Sequence, residues 1–255
     1  MPKNHPDVIS PGPVLIERMV QRCSTRDDFP VEPGSSLSAD DIASNPYRTS
    51  AVLRMSVTAA IDHLHAVKML VVDQQLPQGT ATWSLARGGL ENLATAYWVL
   101  GPDRRDERIE RTLRWHAQNV MDSDDATRHL DVPSTASAET RLSELDAVAR
   151  RRLLEPAQVR RGYACTEAVD YAEAYLPPSG LGVRRPWQLS AGFTYGRPWA
   201  PAGAAVLETS SARPHVLGAG TSSAPGNVLY PYLAAVQLLE AFLRLYEVRA
   251  KTSLV

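Results

Sequence analysis

The stretch Thr80–Leu100, TATWSLARGGLENLATAYWVL, decides the fold. Trp83, Leu90, Leu93, Ala94, Tyr97 and Leu100 recur at steps of three, four and seven, the period of a helix with one apolar face. Leu76-Pro77-Gln78-Gly79 reads as a turn before it, Thr80 suits an N-cap, and Gly101-Pro102 ends it. Within this apolar helix stand Arg87 and Glu91, one turn apart and able to pair.

Helical periods continue on both sides. Upstream, Ser44 or Asn45 with Pro46 opens a helix whose stripe is Val52, Met55, Ala59, Leu64, Val67 and Val71, running to about Gln75. Pro13–Arg22 is a short helix; residues 1–12 and 26–46, rich in Pro, Gly, Ser and Asp, read as irregular. Downstream, Asp103 to about His129 is a charged helix with Ile109, Leu113, His116 and Val120 on one side. Thr135–Leu154 and Tyr163–Tyr175 follow, punctuated by Pro133, Pro156 and Pro177-Pro178, then a short helix at Pro186–Tyr195. Residues 204–220 are small and weakly patterned, a long loop or small hairpin. Leu229, Leu233, Val236, Leu239, Leu243 and Tyr246 mark the last and clearest helix. With no internal repeat and no composition break, the expectation is all-α: one helical domain, a bundle of about six to eight helices.

Composition is that of an ordinary globular chain, 44 % hydrophobic and 22 % charged over 255 residues. Basic and acidic residues nearly cancel, 27 against 28, which leaves no global field to draw in nucleic acid or an anionic membrane, so any such binding is local. Cys23 and Cys165 are too few for a disulfide framework. Neither a secretory leader nor an uninterrupted apolar run near the ~20 residues of a membrane span is visible. The expectation is a cytoplasmic protein without a membrane partner.

Arg87-Gly-Gly-Leu-Glu91, Tyr97-Trp-Val-Leu100, the acidic turn after it and the arginines at 108 and 111 resemble the second and third helices of a bacterial helical family akin to the HEPN superfamily. Trp187-Gln-Leu-Ser190-Ala-Gly-Phe-Thr-Tyr195-Gly-Arg197-Pro-Trp199 resembles the segment where that family has a Ser, then a His and a Gly. The resemblance covers about half the chain. It implies a helical bundle binding a nucleotide, RNA or small ligand in a regulatory or defence setting, and ribonuclease chemistry through an arginine followed by a histidine, here Arg111 and His116. Arginine would hold the scissile phosphate while histidine exchanged a proton. Tyr195 stands where the family has histidine, and a phenol, with an ordinary pKa near ~10, is no base at neutrality.

Charges inside apolar helices, Arg87 and Glu91, together with the segment that carries the resemblance, Ser190, Tyr195, Arg197 and Trp199, make up the candidate binding site, and the resemblance implies Arg111 and His116 for catalysis. The alternative for Arg87 and Glu91 is an ion pair fixing helix register. Asp62, His63 and His65, or Asp122, Asp124, Asp125 and His129, are metal-capable but match no ligand motif, and no cofactor is expected. Ser190 and Ser211 lack a nucleophile-elbow setting, and Gly218-Ala-Gly220 precedes no phosphate-binding helix. Two other classes remain open. One is a small-molecule enzyme with an apolar chamber lined by Trp83, Tyr97, Trp98 or Tyr195; the other is a non-catalytic scaffold forming a homodimer.

Overall fold

The computed structural model describes residues 11–25, 28–76, 79–128, 136–176, 180–210 and 227–252. Among them are eleven α-helices and no strand: α1 Pro11–Cys23, α2 Ser36–Ser44, α3 Thr49–Val67, α4 Thr80–Leu100, α5 Arg105–Thr127, α6 Ala138–Arg151, α7 Pro156–Arg160, α8 Cys165–Tyr175, α9 Arg184–Thr194, α10 Trp199–Ser210 and α11 Leu229–Ala250. Helix α3 continues as a π-helical turn, Lys68–Asp73, which Lys68 ties to Asp73 at 2.8 Å and to Glu17 of α1 at 3.3 Å.

The all-α expectation holds, but the helices outnumber the six to eight expected, for three separate reasons. Helix α2 lies inside the segment expected to be irregular, because its buried positions Leu37, Asp40 and Ser44 are mostly polar and leave no hydropathic period. Ser35 caps it, its hydroxyl accepting from the Ser38 amide at 3.1 Å. Pro156, read as punctuation, is the first residue of α7, where its missing N–H is no loss. Helix α10 replaces the expected loop as far as Ser210, since alanine-rich sequence favours helix without an apolar stripe. The remainder of the expected hairpin, with Ser211 and Gly218 to Gly220, lies outside the described residues, as do residues 1–10 and His129.

The chain divides into two compact units, each assembled from separated segments: unit 1 from 1–28, 57–94 and 169–241, unit 2 from 29–56, 95–168 and 242–255. The division falls within α3, α4, α8 and α11, so each of these helices contributes residues to both units.

Unit 2 is built on α5, against which α2, α6 and α7 pack. Ile109, Leu113, Ala117 and Val120 form its buried stripe and meet Leu145, Val148 and Ala149 of α6 and Val159 of α7. Arg108 is buried beside this core with every donor used. Its Nε and Nη2 donate to the two oxygens of buried Asp40 at 2.6 and 2.9 Å, Nη2 to Ser36 at 3.0 Å, and Nη1 to the carbonyls of Pro102 and Asp103 at 2.9 and 2.8 Å. A bidentate buried pair of this kind fixes one arrangement of α2 against α5, and losing either partner strands a charge.

In unit 1, α3 and α4 approach so closely that a Cβ at either of two successive glycines would force a neighbouring side chain to shift. A Cβ on Gly88 would stand 2.8 Å from the His63 ring, and one on Gly89 2.7 Å from Leu64 Cδ2. Taken with its π-turn, the helix Thr49–Asp73 reaches 25 residues at a mean hydropathy of 1.3 over its most apolar window, enough by length and composition to cross a membrane. Its uninterrupted apolar runs are nevertheless short: Arg54, Asp62 and Lys68 interrupt it, and Val57, Ala60, Ile61, Leu64 and Val67 are buried in the folded chain.

Candidate functional site

Helix α4 and helix α9 with the residue after it run against each other in opposite directions within unit 1, joined by four side-chain contacts. Trp83 stacks on Phe193 with ring centroids 4.0 Å apart and planes 18° apart. The Ser84 hydroxyl donates to Thr194 Oγ1 at 3.2 Å. Arg87 Nη1 donates to the Tyr195 hydroxyl at 2.5 Å, while its Nη2 pairs with Glu91 at 2.7 Å. One rung further, the Trp187 indole N–H donates to Glu91 Oε1 at 2.7 Å. Three of the six binding candidates therefore meet: Arg87, Glu91 and Tyr195.

Trp187 completes the group and was not a candidate by sequence. It lies on α9, two turns before Tyr195, the residue that follows the helix, and only the antiparallel pairing of α4 with α9 brings it to Glu91. The guanidinium carbon of Arg87 lies 5.1 Å from the Tyr195 ring centroid and 5.8 Å from that of Trp187. Burial works against its charge, but the Tyr195 hydrogen bond and the Glu91 charge outweigh that and hold its pKa above the ordinary arginine value. Its Nε is buried without an acceptor.

Where α9 turns into α10 the chain leaves this packed seam and exposes aromatic surface. Tyr195 is 60 % exposed and Trp199 51 % exposed, with exposed Arg197 between them. Both rings are anchored. Arg87 grips Tyr195 at its hydroxyl and lies against its ring, most of which stays open to solvent. The Trp199 indole lies over Gly192, where a Cβ would come within 2.7 Å of Cζ2. Ser190, by contrast, is fully buried and its hydroxyl donates back to the Pro186 carbonyl at 2.8 Å, so it faces its own helix.

Arg111 and His116 belong to unit 2, whereas Arg87 and Glu91 belong to unit 1. Arg111 donates to the Trp98 carbonyl at 2.6 Å and to Glu107 at 2.6 Å, and lies 5.1 Å from the centroid of the Trp98 ring. His116 sits between Tyr47 and Trp115, with ring centroids 5.0 and 5.1 Å away. Burial lowers its pKa to about 4, which makes it neutral at pH 7, and its Nε2 is buried without a partner. The contacts of the two residues are those of helix packing. Of the aromatics expected to line a chamber, Trp83 is covered by Phe193 and buried Trp98 by Tyr163 at 5.5 Å. Of the acidic residues after Met121, Asp122 accepts from Gln118 at 2.8 Å, while Asp124 and Asp125 lie 3.7 and 3.1 Å from Arg128.

Comparison with protein-family models, curated proteins and solved structures gave no match.

Proposed function

We propose that this chain is a binding protein for the bases and phosphates of single-stranded RNA or a free nucleotide, with its site at the α9–α10 elbow of unit 1. The observation that carries the reading is the Tyr195 ring, 60 % exposed yet held at its hydroxyl by Arg87. An aromatic face fixed in solvent has already lost the freedom that binding would otherwise cost, so a base can stack on it with little further ordering. Trp199 offers a second anchored face four residues on. Arg197, exposed between them, supplies a mobile cation for a phosphate oxygen.

Binding rather than catalysis is proposed, because Arg111 and His116 are engaged in packing. Arg197→Ala tests the phosphate part. The expected outcome is weaker binding of a short oligoadenylate and a shallower dependence of affinity on salt, by about one counterion. An unchanged salt slope would contradict a phosphate contact at Arg197.

A further inference from the structure

A cleft of about 510 Å³ in unit 2 is lined by Val31, Ser38, Asp41, Ile42, Asn45, Arg48 and Ser50. Its size is that of small-molecule sites. Arg87, Arg108, Arg111, Arg114, Arg152 and Arg160 all pair with carboxylates. Arg48 and Asp41 line one cleft, yet among the described residues neither is ion-paired, with the other or with any third group. Asp41 is held in place by Ser50, whose amide donates to Oδ1 at 2.8 Å and whose hydroxyl donates to Oδ2 at 2.5 Å. These bonds orient the carboxylate at the start of α3 without neutralising it. Arg48 is exposed at the cleft, and Ile42, 76 % exposed, and half-buried Val31 add apolar wall.

Two opposite charges that line one small cleft without pairing with each other match a ligand that carries both charges itself. We infer that this cleft binds a free α-amino acid with an apolar side chain. The ammonium group pairs with Asp41, the carboxylate with Arg48, and the side chain covers Ile42 and Val31. A simple anion would meet the Asp41 charge and a simple cation the Arg48 charge, so either is disfavoured by the group that the zwitterion uses.

L-leucine is the probe, titrated calorimetrically into the full chain beside leucinamide, which lacks the carboxylate, and N-acetyl-leucine, which lacks the ammonium group. The expected result is saturable binding of leucine and at least about tenfold weaker binding of both analogues. Arg48→Gln removes an exposed side chain that forms no ion pair. It is expected to leave the unfolding temperature of the free protein unchanged and to weaken leucine about tenfold or more. Asp41→Asn keeps an oxygen for the Ser50 amide and is expected to lose leucine binding. No heat from leucine, an analogue binding as tightly as leucine, or Arg48→Gln binding like the wild type would each overturn the inference.

Discussion

Arg87 and Tyr195 are 108 residues apart in sequence and joined by a 2.5 Å hydrogen bond that the guanidinium donates to the phenol oxygen. The bond links the only strongly charged turn of α4 to the end of α9. Tyr195→Phe keeps the ring and deletes the acceptor. Arg87 Nη1 then loses its partner in a residue whose Nε already has none. The expected cost is about 1 kcal/mol of stability, read from urea unfolding, with a severalfold loss of oligoadenylate affinity because the ring is no longer anchored. Full retention of both would mean that the bond neither holds the seam nor orients the ring.

Asp40→Ala in unit 2 leaves the Arg108 guanidinium buried with two of its donors unmatched. A loss of about 3–5 kcal/mol is expected, measured as the drop in unfolding free energy. The double variant Asp40→Ala with Arg108→Met removes the stranded charge and is expected to recover much of that loss. If the double variant is as unstable as the sum of the single ones, the two residues do not act as one pair.

His116 gives the stability a pH signature of known sign. Burial lowers its folded pKa to about 4, below the ordinary histidine value, so between these two pH values the unfolded chain binds the extra proton. Its contribution is complete above about pH 6.5 and is lost as pH falls towards 4, amounting to roughly 3 kcal/mol over that window. His116→Phe fills the same space between Tyr47 and Trp115 and cannot titrate. The difference in unfolding free energy between wild type and variant is expected to change by that amount from pH 7 to pH 4. A difference independent of pH would show that His116 protonates in the folded state as readily as in the unfolded one.

Gly89→Val places branched side-chain carbon where even a Cβ would meet Leu64 at 2.7 Å. Helices α3 and α4 must then separate, and a loss of about 1–3 kcal/mol is expected in thermal or urea unfolding. Gly89→Val combined with Leu64→Ala is expected to recover part of the loss. No recovery would place the strain elsewhere than in this helix crossing.

The long helices α3, α4, α5 and α11 were legible because each buries one stripe over many turns, so that the apolar period repeats often enough to stand out. Helices α2 and α10 were not, since α2 turns Asp40 and Ser44 inward and α10 is built from small residues. At the site, Arg87 with Glu91 could be read as a pair one turn apart on one helix. Tyr195 was marked as a binding residue, but its bond to Arg87 depends on the pairing of α4 with α9. Trp187 with Glu91 and Arg108 with Asp40 are separated by 96 and 68 residues, and no local pattern announces them. The cleft beside Arg48 lies where the sequence showed only a loss of period. The spacing of Arg111 and His116 suggested joint chemistry, yet their surroundings, Trp98 and Glu107 for one and Tyr47 and Trp115 for the other, were set by packing that spacing does not encode.

The most direct measurement is the affinity of a fluorescently labelled oligoadenylate for the wild-type chain and for Tyr195→Ala and Trp199→Ala, by anisotropy at fixed salt, with circular dichroism confirming that each variant is folded. Saturable binding by the wild type and a loss of about 5- to 150-fold in each variant is the expected result, since stacking of one base on an aromatic ring is worth about 1–3 kcal/mol. Wild-type protein that does not bind the oligonucleotide, or variants that bind it as tightly as the wild type, would contradict a base-stacking site at the α9–α10 elbow.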